Sequence, residues 1–431
     1  MQKKRKLGLF ACISLVVGNM IGSGIFLLPV SLAAIGSLSL FAWVLTAIGS
    51  ICLAYLFGEL SRKLPVEGGP YAYCRHYLGE FAGYQVSWSY LLANVIGDAA
   101  TVVALLAYLT AFWPRLAEQH LLSFWIGTGI IWLVFAINVL GLRTFKYIQV
   151  ATTLIKLTPI LLVAILGLFH VDGANLSHLN LSGQSNLAAL ANAAMLTLFA
   201  FGGLESSTIP ANAIENPEKT IWKATLIGTL FAALVYILAT FSLMGMFSPE
   251  ALAKSTAPFA DAGNVIFGLM TDKFFAIAAI ISCFCTITGF MFITGHAAWA
   301  AAKDGLLPRF LTKLSKREIP YMGFLAAALV MTLMLGMNYT KQLTSQFTLL
   351  ITLSNLFILI PYLYTSVSAL LSFEKKERTK PMFIAILSCI YIIFAMIGSG
   401  AEAVFSGFIL LMILTPILAF LHSSLRLNKG D

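Results

Sequence analysis

Charged residues are scarce in this chain, and their scarcity excludes a soluble protein. Only 10% of its 431 residues are charged, whereas soluble domains carry about 25%. The mean hydropathy is +0.89, and residues 7–58 contain no charged residue. Because about 20 apolar residues cross a bilayer as a helix, that stretch has room for two spans. The composition predicts an all-α polytopic membrane protein without a sizeable soluble domain.

Enzyme and cofactor motifs are also missing. There is no HExxH zinc motif, P-loop or dinucleotide fingerprint, so an ATP-driven pump or a membrane metalloprotease has no support. The few cysteines lie in or beside apolar segments and indicate packing, with neither a disulfide framework nor a metal site; they are Cys12, Cys52, Cys74, Cys283, Cys285 and Cys389. We expect no catalytic residue, metal or cofactor.

The net charge of +9 reflects membrane topology and does not indicate a nucleic-acid partner. Alternate loops carry 22 basic residues on one side of the predicted bilayer, and the other side carries only Arg115, Lys254, Lys273 and Lys341. The positive-inside rule places the basic side in the cytoplasm. Both termini lie on that side, so the number of spans is even.

Apolar runs bounded by charged or turn residues predict twelve helical spans. They cover about 7–35, 38–63, 81–113, 122–141, 146–169, 187–211, 221–247, 274–303, 319–337, 342–372, 381–400 and 402–424. The loop at 64–80 is predicted to be a cytoplasmic turn or short surface helix. The polar loop at 171–186 is predicted to be an external connector.

Two spans contain glycine-rich interruptions in corresponding positions. Residues 18–24 in span 1 read GNMIGSG, and residues 199–203 in span 6 read FAFGG. Paired broken spans of this kind indicate a transporter built from inverted repeats. Each repeat has five spans, an odd number, so the second repeat inserts upside down. We predict a single transmembrane transporter domain over 1–431, with repeats at about 7–169 and 187–372 and additional helices at about 381–424.

A break in a span exposes the polar ends of two half-helices at membrane depth. Free N–H groups suit a carboxylate, and free carbonyls suit an ammonium group. We assign an amino-acid carboxylate to Ser23 and the amides around Gly22 and Gly24. The ammonium group is assigned to carbonyls of residues 199–202. The alternative is that these glycines only permit close helix packing.

Four ionisable residues stand out inside the predicted membrane, where charge is costly and indicates function; they are Asp98, Lys156, Glu205 and Glu402. Asp98 faces a cationic substrate or pairs with Lys156, and both alternatives stay open. Glu205 adjoins the span 6 break, where it acts either as a proton-linked gate or as a structural hydrogen-bonding group. Glu402 lies near a predicted external end and is assigned to the membrane interface.

Aromatic and polar side chains on the cavity-lining spans are further candidates. Tyr90, Phe199, Phe290 and Tyr362 could cover a substrate or stack on its cation, or could pack between helices. Ser354 is a polar position in span 10 and a candidate substrate contact.

The motifs resemble the amino acid–polyamine–organocation (APC) superfamily of transporters, and within it the bacterial basic amino acid/polyamine antiporters. The likeness is greatest to arginine/agmatine and lysine/cadaverine exchangers. It rests on the span 1 motif and on GGPYAY at 68–73, GGLES at 202–206, ENP at 215–217, KDGLLP at 303–308 and PYLY at 361–364. The resemblance covers residues 7–424. It implies a LeuT-type fold of two inverted five-helix repeats in the bacterial inner membrane.

The resemblance also implies roles for individual residues. Asn19, Ser23 and Gly24 would bind the substrate backbone, and Tyr71 would act in a pH-related gate. Together with the candidates above, the predicted substrate-binding residues are Asn19, Ile21, Gly22, Ser23, Gly24, Tyr90, Asn94, Asp98, Phe199, Gly202, Phe290 and Ser354. The predicted gating or proton-linked residues are Tyr71, Lys156, Glu205 and Tyr362.

The chain departs from the arginine/agmatine exchangers at several of these positions. Those exchangers carry tryptophan where this chain has Phe199 and Phe290, asparagine where it has Asp98, and cysteine where it has Asn94. Lys156 is similar to the span 5 lysine of proton-coupled superfamily members, whose ammonium group stands in the place of a sodium ion.

These features predict an amino-acid transporter that exchanges a cationic amino acid (arginine, lysine or ornithine) for its decarboxylated amine by alternating access. One alternative is proton-coupled symport of neutral or cationic amino acids through Lys156 and Glu205. Another is a channel or a nutrient receptor without turnover. The expected partners are amino acids, polyamines and the lipid bilayer, with no nucleic acid. A homodimer is one assembly that the sequence leaves open.

Overall fold

The protein is built from helices, as its composition predicts. The computed structural model describes residues 7–140, 145–268, 271–315, 317–338, 340–374 and 379–401, and isolated positions beyond 401. Within these residues, ten helical segments are long and apolar enough to cross a membrane, and Tyr321–Met337 is a shorter apolar helix. The all-α polytopic prediction is confirmed. Most of predicted span 12, including Glu402, and both termini lie outside the described residues, so the count of twelve and the sidedness stay predictions.

The helix bounds follow the predicted runs within a few residues. The helices are α1 Leu9–Met20, α2 Ser23–Ala33, α3 Leu38–Lys63, α4 Pro70–Leu78, α5 Glu80–Leu109, α6 His120–Leu140, α7 Phe145–Leu166, α8 Asn186–Leu198, α9 Pro217–Met246, α10 Pro249–Lys254, α11 Pro258–Phe267, α12 Asp272–Lys303, α13 Tyr321–Asn338, α14 Leu343–Ser372 and α15 Thr379–Gly398. Residues that favour helix ends mark several bounds: α9 begins with a proline at its first position, and α3 and α12 end on basic residues.

The predicted break in span 1 is present and separates α1 from α2. Helix α1 ends at Met20, Ile21 has an extended backbone, and α2 begins at Ser23 after Gly22. The close approach of span 6 explains the neighbouring glycine, because a Cβ on Gly24 would lie 3.0 Å from the Cα of Ala200.

Span 6 also breaks as predicted, but its second half is not an α-helix. Helix α8 ends at Leu198 and passes into short 3-10 turns, the last of them Ala211–Ala213. Between them Gly203 has a φ of +98°, a conformation that glycine adopts without steric cost. A run of Ser206, Ser207 and Thr208 followed by Pro210 disfavours the α-helix. The helix predicted to continue to residue 211 therefore ends early.

The two broken spans run antiparallel beside each other. Helix α1 contacts the 3-10 turn Ser206–Thr208, and α2 contacts α8. At the far end of α1, the Leu7 N–H donates to the Ala213 carbonyl at 2.8 Å, and the Glu215 N–H donates to the Leu7 carbonyl at 2.9 Å. Opposite directions are what an inverted repeat requires. The repeat boundaries themselves stay predictions.

In the described part of the chain, three short α-helices lie outside the spans. Helix α4 is the short helix anticipated in the 64–80 loop. Helices α10 and α11 connect α9 to α12 and pack against α2; the sequence prediction did not include them. Two sequence features mark these helices. Ser248 caps α10, because its Oγ accepts from the Ala251 N–H. Each helix also has a proline at its first position.

Burial separates the central helices from the peripheral ones. In α5, 89% of the most apolar stretch is buried by other parts of the protein, compared with 28% in α6. Helix α5 packs on α12 and α14, which brings side chains of three predicted cavity-lining spans to the two breaks.

Candidate functional site

A central cavity lies where the two breaks meet. Most predicted substrate-binding residues line it: Asn19, Gly22, Ser23, Gly24, Asn94, Asp98, Phe199, Gly202, Phe290 and Ser354. Ile21 does not; it is buried at the end of α1, where its N–H donates to the Val17 carbonyl at 2.8 Å. Tyr90 also lies outside the lining. The lining also includes Thr101 and Thr286, which the sequence prediction missed. The sequence feature that could have identified them is a hydroxyl group within an apolar span.

The start of α2 offers hydrogen-bond donors to a carboxylate. The first N–H groups of a helix have no acceptor within the helix, and no described side chain caps α2 at Gly22. The Ser23 hydroxyl lies 2.8 Å from Thr101 Oγ1. Since Thr101 Oγ1 donates to the Gly97 carbonyl at 2.9 Å, the proton between the two hydroxyls belongs to Ser23. Backbone N–H groups are therefore the readily available donors here, and Ser23 must leave Thr101 to join them.

The carbonyls assigned to the ammonium group are largely occupied. The carbonyls of Phe199 and Phe201 accept from the N–H groups of Gly202 and Leu204 at 3.2 and 3.3 Å. The carbonyl of Ala200 accepts from the Tyr236 hydroxyl at 3.0 Å. An unoccupied acceptor lies opposite: Asn19 Oδ1 is buried and has no hydrogen-bond partner among the described residues. This side-chain oxygen suits an ammonium group better than the three carbonyls do.

Asp98 and Lys156 do not pair, so that alternative is wrong. Lys156 Nζ donates to the Gly18 carbonyl and to Thr286 Oγ1, each at 2.8 Å. The ion pairs found in the described part of the chain join Arg62 to Glu59 and Arg75 to Glu80 and Asp304. Asp98 is only 3% exposed and lines the cavity. Its carboxyl group is therefore placed to meet a ligand.

Glu205 is buried beside the cavity and accepts two tyrosine hydroxyls. The Tyr90 hydroxyl donates to Oε1 at 2.9 Å, and the Tyr362 hydroxyl donates to Oε2 at 3.0 Å. The three side chains tie α5 and α14 to the residues that follow the span 6 break. The hydrogen-bonding alternative for Glu205 is thus present in the structure, and its gating role stays a prediction.

Tyr71 lies on α4, away from the central cavity. Its hydroxyl is 3.4 Å from Asp304 Oδ2, which also pairs with Arg75 at 2.8 Å. Burial, followed by the negative charge of Asp304, raises the pKa of the Tyr71 phenol well above its usual range. The phenol therefore stays protonated at physiological pH and acts as a hydrogen-bond donor.

Phe199 and Ser354 form one wall of the cavity. The Phe199 ring packs edge-to-face on Phe347, with 5.9 Å between the ring centroids. Ser354 Oγ donates to the Ala93 carbonyl at 2.7 Å, so its hydroxyl proton is already used within the protein. Ser354 thus presents to a ligand an oxygen that can accept a hydrogen bond.

Comparison with known proteins agrees with this architecture. The sequence profile of the amino acid permease family matches residues 7–421. The chain is 32% identical to the cadaverine/lysine antiporter of Escherichia coli (strain K12), over 96% of this chain and 94% of that protein. It is 30% identical to the putrescine transporter PotE of Haemophilus influenzae, over 99% of both chains. It is 31% identical to a putative arginine/ornithine antiporter of Bacillus subtilis, over 93% of both.

These proteins are transporters. The chain belongs to the amino acid permease family of the APC superfamily and is a multi-pass protein of the inner membrane.

Proposed function

We propose that this protein exchanges a cationic amino acid for its decarboxylated amine across the inner membrane. The observation that carries the proposal is the buried Asp98 carboxyl group, which lines the central cavity and has no ion-pair partner among the described residues. A buried carboxylate without a counter-ion is costly, and a cationic substrate would supply that counter-ion. The similarity to antiporters of cadaverine, lysine, arginine and ornithine supports the same substrate class.

Different walls of the cavity would bind different groups of such a substrate. The start of α2 would take the α-carboxylate, and Asn19 Oδ1 would take the α-ammonium. Asp98 would take the distal cation, and Phe199 and Phe290 would cover the aliphatic chain. The decarboxylated amine lacks the first contact and keeps the others, so both substrates fit one site. Exchange of a monovalent amino acid for a divalent amine exports one positive charge per cycle.

Reconstituted protein tests this proposal. Liposomes preloaded with cadaverine, putrescine or agmatine should take up labelled lysine, ornithine or arginine much faster than empty liposomes do. Equal uptake into empty and loaded liposomes would overturn obligate exchange. Flux that does not saturate with substrate would indicate a channel, and binding without flux would indicate a receptor. A competition panel of unlabelled amino acids and amines identifies the preferred pair.

A second candidate function is proton-coupled amino-acid symport, which the contact of Lys156 with α1 favours. Its ammonium group bonds the Gly18 carbonyl beside the span 1 break, so loss of the proton would weaken the attachment of α1. This candidate predicts rapid uptake into empty liposomes under an inward proton gradient. Neither candidate involves enzymatic catalysis.

A further inference from the structure

A second, larger cavity lies beside the central one, towards the predicted cytoplasmic end. This inner cavity is bounded by the start of α1, the loop before α4, the second half of span 6 and the end of α12; Ala11, Glu67, Ser206, Ile209, His296 and Trp299 represent these walls. The same walls adjoin the basic positions Lys63, Lys219 and Lys303 in the sequence. A substrate that leaves the central cavity towards the cytoplasm has this space next to it.

Among the described residues, one side-chain hydrogen bond joins the walls of the two cavities. Asn19 lines the central cavity, and Ser206 lines the inner one. Asn19 Nδ2 donates to Ser206 Oγ at 2.8 Å, and both side chains are buried. The bond crosses from the end of α1 to the second half of span 6, so it connects the two broken spans that alternating access has to separate.

Close packing completes the partition at this point. A Cβ on Gly203 would lie 3.1 Å from the Asn19 Cβ and 2.9 Å from Phe290 Cζ. The backbone of Gly203 thus packs closely against both the Asn19 side chain and the Phe290 ring. The Asn19 Oδ1 atom, buried and unpartnered among the described residues, remains available to a ligand.

We infer that the Asn19–Ser206 hydrogen bond is the inner gate between the central site and the cytoplasmic vestibule, and that Asn19 also reads the substrate ammonium group. The inference deepens the proposed function and rests on it for the identity of the substrate. One amide serves both tasks: Nδ2 holds the gate, and Oδ1 accepts from the ammonium. An ammonium that draws Asn19 into the cavity weakens its bond to Ser206, so that the gate opens when the site is occupied and stays shut when it is empty.

The test compares Ser206→Ala with Ser207→Ala in full-length protein reconstituted in liposomes. Ser207 is a matched control, because it is also buried and its hydroxyl bonds Thr225 Oγ1 at 2.9 Å without touching the partition. The readout is efflux of labelled substrate into substrate-free buffer, which reports opening without exchange. Loss of one neutral hydrogen bond shifts the gate equilibrium by about fivefold. We expect Ser206→Ala to raise uncoupled efflux by about that factor and Ser207→Ala to leave it unchanged.

Ser206→Thr provides the second arm, because it keeps the hydroxyl beside a cavity with room for a methyl group. It should restore the uncoupled efflux of the unmodified protein. Efflux that rises equally in Ser206→Ala and Ser207→Ala, or that rises in Ser206→Thr, would refute the gating role of the Asn19–Ser206 hydrogen bond. The labelled substrate is whichever amino acid the unmodified protein transports. A protein that carries only neutral amino acids therefore refutes the proposed substrate class and still tests the gate.

Discussion

At the scale of single residues, the proposed choice of substrate depends on side chains outside the span 1 motif. Under the proposed function, span 1 meets groups common to all amino acids, whereas Asp98, Phe199 and Phe290 line the rest of the cavity. Asp98 was identified from its position within an apolar span. The absence of an ion pair with Lys156 could not be predicted, because such pairing depends on how α5 and α7 are rotated about their axes. That rotation turns Lys156 towards Gly18 and Thr286.

The Asp98→Asn substitution should selectively weaken the binding of cationic substrates. The amide keeps the shape and loses the charge, and a hydrogen bond to a charged group contributes about 1.5–3 kcal/mol. The KM for lysine, arginine or ornithine should therefore rise roughly 10- to 150-fold, with little change in inhibition by neutral amino acids. Competition against labelled substrate measures this in liposomes.

Asp261→Asn is the control for that experiment. Asp261 is an exposed carboxyl group on α11 that accepts from Ser255 Oγ, outside the central cavity. Its substitution should leave the ratio of cationic to neutral affinities unchanged. If Asp98→Asn lowered the affinities for cationic and neutral substrates equally, Asp98 would support the shape of the cavity and would not recognise the charge of the substrate.

At the scale of elements, the two breaks depend on backbone contact between α2 and span 6. Glycine motifs predicted both breaks because glycine weakens a helix where it stands. They did not predict the 3-10 form that follows the second break, which also depends on serine, threonine and proline further along. Helices α10 and α11 were missed since short helices carry no long apolar period.

Gly24→Ala should disrupt the junction of the two breaks. The new Cβ would lie 3.0 Å from both Cα and Cβ of Ala200, and overpacking of this kind costs about 1–3 kcal/mol. We expect a lower Tm in detergent and loss of most exchange activity. Gly129→Ala is the matched control: it lies in α6 with no atom within 4 Å of its Cβ, so Tm should be unchanged or slightly higher and exchange normal. Normal exchange in Gly24→Ala would contradict the close contact.

At the scale of the whole molecule, the antiparallel run of spans 1 and 6 places one break against the other. The sequence predicted opposite directions from the odd number of spans per repeat. The contacts of Leu7 with Ala213 and Glu215 agree. Which face meets the cytoplasm rests on the distribution of lysine and arginine.

Thiol labelling of intact cells tests the predicted orientation. A cysteine at Gln184, exposed in the predicted external loop, should react with a membrane-impermeant maleimide in intact spheroplasts. A cysteine at Lys313, exposed in a predicted cytoplasmic loop, should react only after permeabilisation. The native cysteines described in the structure are buried or half-buried, and unmodified protein measures their background. The reverse pattern would invert the topology.

The sequence by itself determined the membrane class, the spans that the structure describes, the two breaks and most of the residues around the central cavity. These follow from local properties: the length of apolar runs, the weakness of glycine in helices and the cost of buried charge. Only the tertiary structure decided that Lys156 bonds to α1, that Glu205 joins two tyrosines, and that Asn19 and Ser206 meet between two cavities. Those contacts join residues 187 positions apart in the last case, and they depend on helix rotation and close packing, which no local pattern encodes.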